Sequence, residues 1–168
     1  MWPVFGDSTL ARVEPTTGDV IGSTTVGSVP TAVAFGGGSL WVVNGGDATV
    51  NRFNPATFES GPTATKSVGG RPAGIAYGEG AVWVANTGDD TVERIDPSTG
   101  STRTIPVGDG PIAVAVGAGS VWVANASART VSRIDPVTNT VERTIPLGNA
   151  PAGIAFADGA VWVSAQAP

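Results

Sequence analysis

Tryptophan returns along this chain about every 40 residues, at Trp2, Trp41, Trp83, Trp122 and Trp162, with spacings of 39, 42, 39 and 40. A fixed period of that length marks a repeat architecture, in which each unit buries its apolar face only by stacking on its neighbours. The stretch from Pro72, PAGIAYGEGAVWVANTGDDTVERIDPSTGSTRTIPVG, is matched by PIAVAVGAGSVWVANASARTVSRIDPVTNTVERTIPLG from Pro111, and a looser copy starts at Pro30. Partial copies stand at both ends, one beginning at Trp2 and one running on from Pro151. A chain that opens and closes inside a repeat carries the expectation of having been cut from a longer array.

One unit holds four apolar runs, which in the best-formed copy are Ala73–Tyr77, Ala81–Asn86, Thr91–Asp96 and Thr102–Val107. They are five or six residues long and rich in Val, Ile and Thr, with Gly, Pro, Asp or Asn between them, and they read as strands. No window carries an apolar face at helical spacing. Gly36-Gly37-Gly38, Gly78-Glu79-Gly80 and Gly117-Ala118-Gly119 supply the residues of a tight hairpin. Asp96-Pro97-Ser98-Thr99-Gly100 puts an acceptor first, a preset φ second and Gly last, the order of a type I turn closed by a left-handed residue. Its counterpart Asn54-Pro55-Ala56-Thr57-Phe58 lacks the closing Gly and predicts a wider loop.

Four antiparallel strands per unit of this period make the blade of a β-propeller. Labelled A to D from the axis outward, strand A is built of small residues suited to a crowded centre. The tryptophan on strand B is expected to fill the gap between adjacent blades. Blade units fall at about 30–69, 72–108 and 111–148. A closing blade is expected from 151–165 plus 6–27, with A and B from the C-terminus and C and D from the N-terminus. Strand B is present twice, at Trp2–Phe5 and Trp162–Ala165, and Pro3 favours the second copy for the slot. About four blades per chain leave three outcomes: a four-bladed ring closed on itself, two chains in an eight-bladed ring, or a part of a longer propeller.

The net charge is −5, from 9 basic and 14 acidic residues, which argues against a nucleic-acid surface. No apolar stretch reaches the roughly 18 residues of a membrane span, and the N-terminus lacks a signal-peptide pattern. With no Cys and no His, thiolate nucleophiles, Ser/His/Asp sets and the commonest metal ligands are absent from this sequence. Carboxylate chemistry would have to come from Asp7, Asp47, Asp89, Asp90 and Asp109, which read as solvated loop acids. The G-x-G pieces precede strands and not helices, so they are hairpins, not dinucleotide sites. The phrase T-[VL]-x-R-[IVF]-[DEN]-P sets Arg12, Arg52, Arg94 and Arg133 at one position of strand C, where a structural role across the neighbouring strand is expected over an anion site. The candidate ligand or partner face lies where the B-to-C loops meet the D-to-A connections, and comprises Asn44, Asp47, Arg71, Asn86, Asp89, Asp109, Asn125, Arg129 and Asn149.

The units [VL]-W-V-[VA]-N, T-V-x-R-I-D-P, T-I-P-[VL]-G and P-x-x-[IV]-A resemble the bacterial YVTN-type propeller repeats over nearly the whole chain. They are similar as well to repeats of streptogramin lyase (virginiamycin B lyase) and of NHL propellers. These families generally use six or seven blades, and the resemblance implies an extracytoplasmic bacterial binding or sensor module. The lyases use catalytic histidines and a magnesium ion, and those histidines have no counterpart here. The expectation is a non-catalytic scaffold or binding module without cofactor or metal, partnered by a protein, a small molecule or a second copy of itself. The alternative is an enzyme of the lyase or lactonase-like kind, using loop carboxylates and a divalent metal.

Overall fold

The computed structural model describes residues 8–166, so Trp2–Phe5 and Asp7 lie outside the described residues. Three four-stranded antiparallel sheets occupy the middle of the chain. The first holds β3 (Pro30–Gly36), β4 (Ser39–Asn44), β5 (Thr49–Phe53) and β6 (Ala64–Ser67). The second holds β7 (Pro72–Gly78), β8 (Ala81–Asn86), β9 (Thr91–Ile95) and β10 (Thr102–Pro106). The third holds β11 (Pro111–Gly117), β12 (Ser120–Asn125), β13 (Thr130–Asp135) and β14 (Thr140–Pro146). No α-helix occurs among the described residues, and no helix is long and apolar enough to cross a membrane. The loop after β5 is wide, as expected, and contains a short 3-10 turn at Phe58–Ser60.

Turn chemistry sets these registers. Gly78 pairs with Ala81, leaving Glu79 and Gly80 as a two-residue turn with φ of +50° and +71°. That is the doubly left-handed hairpin whose twist matches the strands it joins. At the other end of the blade, Gly100 closes its turn at φ +70°, and its N–H donates to Asp96 O at 2.8 Å. The Asp96 carboxylate accepts from the Ser98 hydroxyl at 2.6 Å and from the Ser98 N–H at 2.8 Å. The Ser98 hydroxyl first, then the Thr99 N–H at 3.1 Å and the Ser98 N–H, hold its pKa at about 2, below the usual 3.8.

Strand A of each sheet lies at the inside, with β3 packed on β7, β7 on β11, and β11 on β15 (Pro151–Ala157). A Cβ at Gly74 would stand 2.7 Å from Ile112 O, so the inner strands approach closely enough to require small residues. Alternate residues of strand B face opposite neighbours. Val82 and Val84 join Trp41, Val43 and Val50 in one core, while Ala81, Trp83 and Ala85 join Val121, Val123 and Ile134 in the next. The next-to-last residue of the following strand A, Tyr77, Val116 or Phe156, fills the space beside Gly36, Gly78 or Gly117 of the preceding blade.

The ends differ from the middle. β1 (Thr9–Val13) and β2 (Val20–Thr25) form a two-stranded sheet, as do β15 and β16 (Ala160–Ala165). These two half-blades are not joined, so the closing blade expected from 151–165 plus 6–27 is not a single sheet within one chain. No strand pairing joins β16 to β1. Trp83 is fully buried, whereas Trp162 is 62% exposed. At the opposite end, Val33 and Phe35 are 56% and 65% exposed, although Ile75 and Tyr77 at the matching positions pack into the core around Trp41.

Two outcomes follow. Gly78→Val should cost about 1–3 kcal/mol by forcing Val116 out of its seat, lowering the Tm by roughly 3–10 °C. Gly148→Ala, where a Cβ meets nothing within 4 Å, should leave the Tm unchanged or slightly raised; equal losses at both positions would dismiss the inter-blade fit. Ser98→Ala should move the Asp96 carboxyl back toward 3.8, as read by NMR titration. Because the folded pKa is the lowered one, the turn's contribution is complete above pH ~4 and fades as pH falls toward 2. An unmoved Asp96 titration would refute that cause.

Candidate functional site

The candidate residues meet on one edge of the sheets because the B-to-C loop of each blade folds back on the connection leading into its strand A. Gly45 and Gly46 N–H donate to Val29 and Ser28 O, Thr87 and Gly88 to Arg71 and Gly70 O, and Ala126 and Ala128 to Gly110 and Asp109 O. The same clasp is thus built three times. Asn149 stands in the last connection, where Gln166 N–H donates to Ala150 O at 3.0 Å.

Side chains complete each clasp. Asp47 Oδ2 accepts the Ser28 N–H at 2.6 Å, Asp89 Oδ2 accepts that of Gly70 at 2.6 Å, and Asp90 Oδ1 accepts that of Gly110 at 2.8 Å. Asn44, Asn86 and Asn125 are fully buried, and each donates to the Thr that opens strand C, at 3.0, 3.3 and 3.0 Å. Asn44 Oδ1 also accepts the Gly27 N–H at 3.1 Å, whereas Asn86 Oδ1 and Asn125 Oδ1 accept no hydrogen bond. Asp47, Asp89 and the Asn side chains thus stay within their own blade's clasp, Asp90 links the second blade's loop to the connection into the third, and no three acids come together among the described residues.

Arg71 differs. It is exposed at φ +51° and reaches a shallow cleft of about 390 Å³, walled by Val29, Thr31, Pro72, Ala73 and Ile112 from three successive blades. Arg129, at φ +54°, stands exposed on the third blade's loop.

The strand-C arginines have the structural role expected of them, with a partner the sequence did not suggest. Arg52, Arg94 and Arg133 lie over Trp41, Trp83 and Trp122, their guanidinium carbons 5.1, 5.8 and 5.6 Å from the ring centres. The signal was present, because cross-strand register sets each Trp directly opposite its Arg. Arg52 and Arg133 also donate to Ser39 and Ser120 Oγ at 2.9 Å. The sequence has no His, and among the described residues no three His, Cys, Asp or Glu side chains come together.

Sequence reasoning missed one feature. An apolar cleft of about 610 Å³ lies between β1 and the first full blade, lined by Leu10, Arg12, Val33, Leu40 and Phe58 among others. Its signal was the incomplete N-terminal repeat, which leaves strands C and D without an A and B beside them among the described residues.

No family model matches the sequence, and no curated protein matches it. Solved structures do. A catalytically inactive His-to-Ala variant of virginiamycin B lyase from Staphylococcus aureus, with quinupristin, is 22% identical with a TM-score of 0.81, over 94% of this chain and 56% of that one. Kuenenia stuttgartiensis hydrazine synthase is 20% identical with a TM-score of 0.77, over 88% of this chain and 45% of that one. A mitotic checkpoint complex chain is 9% identical with a TM-score of 0.85, over 97% of this chain and 54% of that one. This chain spans about half the length of each. Proteins with three such different tasks share its backbone, so the likeness carries architecture and not activity. That architecture is the β-propeller, the fold of the streptogramin B lyases.

Proposed function

We propose that the chain is a non-catalytic β-propeller scaffold whose loop face holds a protein or small ligand. The observation that carries this reading is the use already made of the loop carboxylates. Asp47, Asp89 and Asp90 each accept a backbone N–H at 2.6–2.8 Å and so tie two loops of the framework together. A charge-assisted bond of that length contributes about 1–3 kcal/mol, less at an exposed position. Recruiting such a group for metal binding or proton transfer would first undo the clasp.

What remains displayed is the cleft at Arg71. A guanidinium above apolar walls suits a partner that sets a carboxylate or carbonyl against Arg71 and an apolar body over Val29 and Ile112. The competing reading, a lyase- or lactonase-like enzyme, takes its support from the likeness to virginiamycin B lyase and needs a divalent ion held by these same acids.

Thermal melts separate the two. The scaffold reading expects a Tm that does not respond to Mg²⁺ or Ca²⁺, and Asp89→Asn should lower it by roughly 2–4 °C through loss of about 1 kcal/mol. A dose-dependent rise with either ion, abolished by Asp89→Asn, would sink the scaffold reading, because an ion stabilises only by binding the native state.

A further inference from the structure

The two two-stranded sheets, β1–β2 and β15–β16, are complementary in kind, in register and in chemistry. β15 and β16 are strands A and B without a C and D, and β1 and β2 are strands C and D. In every full blade strand B pairs with strand C so that Trp stands opposite Arg: Trp41 with Arg52, Trp83 with Arg94, Trp122 with Arg133. Extending that register to the ends sets Trp162 opposite Arg12, Val163 opposite Ala11 and Ser164 opposite Leu10. Trp162 already has the conformation the inner tryptophans have, its indole N–H donating to Ala157 O at 3.1 Å as theirs donate to Gly36, Gly78 and Gly117 O. It lacks the cation over its face and a following blade beside it among the described residues, and is 62% exposed. Arg12 is exposed beside the apolar cleft and has no tryptophan over it among the described residues.

The flanking surfaces agree. An A–B hairpin seated in the cleft would cover Val33 and Phe35, as β3 and β4 cover Ile75 and Tyr77. Phe35 would then meet Ala157, the counterpart of the glycines that receive Tyr77, Val116 and Phe156. Ala157 brings one extra methyl group, so this joint closes less tightly than the three inside the chain. Within one chain β16 and β1 are not paired.

We infer that the occupant of this cleft is the β15–β16 hairpin of a second copy, with β16 of each chain pairing with β1 of the other and Trp162 stacking on the partner copy's Arg12. Two identical joints close a ring of eight blades, two of them shared between chains. A contact between unlike surfaces, repeated by a rotation that closes, is one of the routes to a finite assembly. This surface is separate from the loop face and independent of what that face binds.

The chain has no Cys, so a designed pair reports on one contact alone. The variant Ala11→Cys with Val163→Cys leaves Trp162 and Arg12 in place and puts two thiols opposite each other across the joint. Mild oxidation should give a covalent dimer. Light scattering on the unmodified chain should give twice 16.7 kDa. Trp162→Ala should weaken the dimer by about tenfold or more while leaving a folded monomer, since that side chain lies outside the core. A disulfide formed within one chain, a monomer at all concentrations, a ladder of masses beyond the dimer, or a dimer indifferent to Trp162→Ala would each overturn the two-copy ring. So would a monomer whose Tm falls with Trp2→Ala but not with Trp162→Ala, which would assign the cleft to the chain's own N-terminal repeat. None of these results touches the scaffold reading, which the metal melts decide.

Discussion

The structure depends on one joint made over and over: the tryptophan of strand B, clamped between its own blade and the next. Its N–H is tied to the carbonyl of the glycine five residues back, at 3.0 Å in the second blade. Its ring carries the strand-C arginine on one side, and Val121, Val123 and Ile134 of the following blade belong to the same core. A buried indole removes more apolar surface from water than any other side chain here, and the cation adds about 0.5–2 kcal/mol according to how dry the site is. A single residue therefore fixes the hairpin, the pairing of B with C and the seating of the next blade. That economy explains why the period is written in tryptophan.

A stack of this kind has nearest-neighbour energetics, in which each unit is stabilised by the two beside it. Burial follows that rule along the chain. All six residues of β8, in the middle blade, are buried; β4 and β12, one blade out, are nearly so; β16, paired only with β15 among the described residues, has none. The same residue type thus contributes very differently by position: Trp83 is fully buried under Arg94, whereas Trp162 is 62% exposed. Stability in the single chain is concentrated around β8 and declines toward both ends.

The local part of this fold was legible from the residues. Glycine and asparagine placed the hairpins, the Asp-Pro turns placed the outer loops, and the missing glycine after Thr57 marked the wide one. The common edge of the candidate residues was also readable, because each lies a fixed distance from its tryptophan. The uses of those residues were not. Asp47 and Asp89 look like idle loop acids in the sequence, and only the three-dimensional return of the chain brings the N–H groups of Ser28 and Gly70 to them. Closure was illegible for a related reason. Complementary half-repeats say that ends can join, but whether one chain brings them together depends on the turn made at each blade, and that is set by the summed packing of whole faces.

The loop face can be reasoned about in the same way. Val29, Arg71, Gly110 and Ala150 each precede the proline that opens a strand A, and the first three have φ of +51°, +51° and +62°. Only Gly110 takes that conformation without strain; for a branched or long side chain it costs about 1–2 kcal/mol. The backbone at this point asks for glycine, and two blades carry a side chain there regardless. Those two side chains are the ones that line the cleft. Framework requirements account for the buried Asn and the stacked Arg, which recur in all three full blades, and for the bonded Asp of the first two. They do not account for Val29 and Arg71, where the blades differ and the backbone is held against its preference. On the proposed scaffold, whose repeated residues are already engaged in holding it together, selectivity of the loop face would rest on such unrepeated positions.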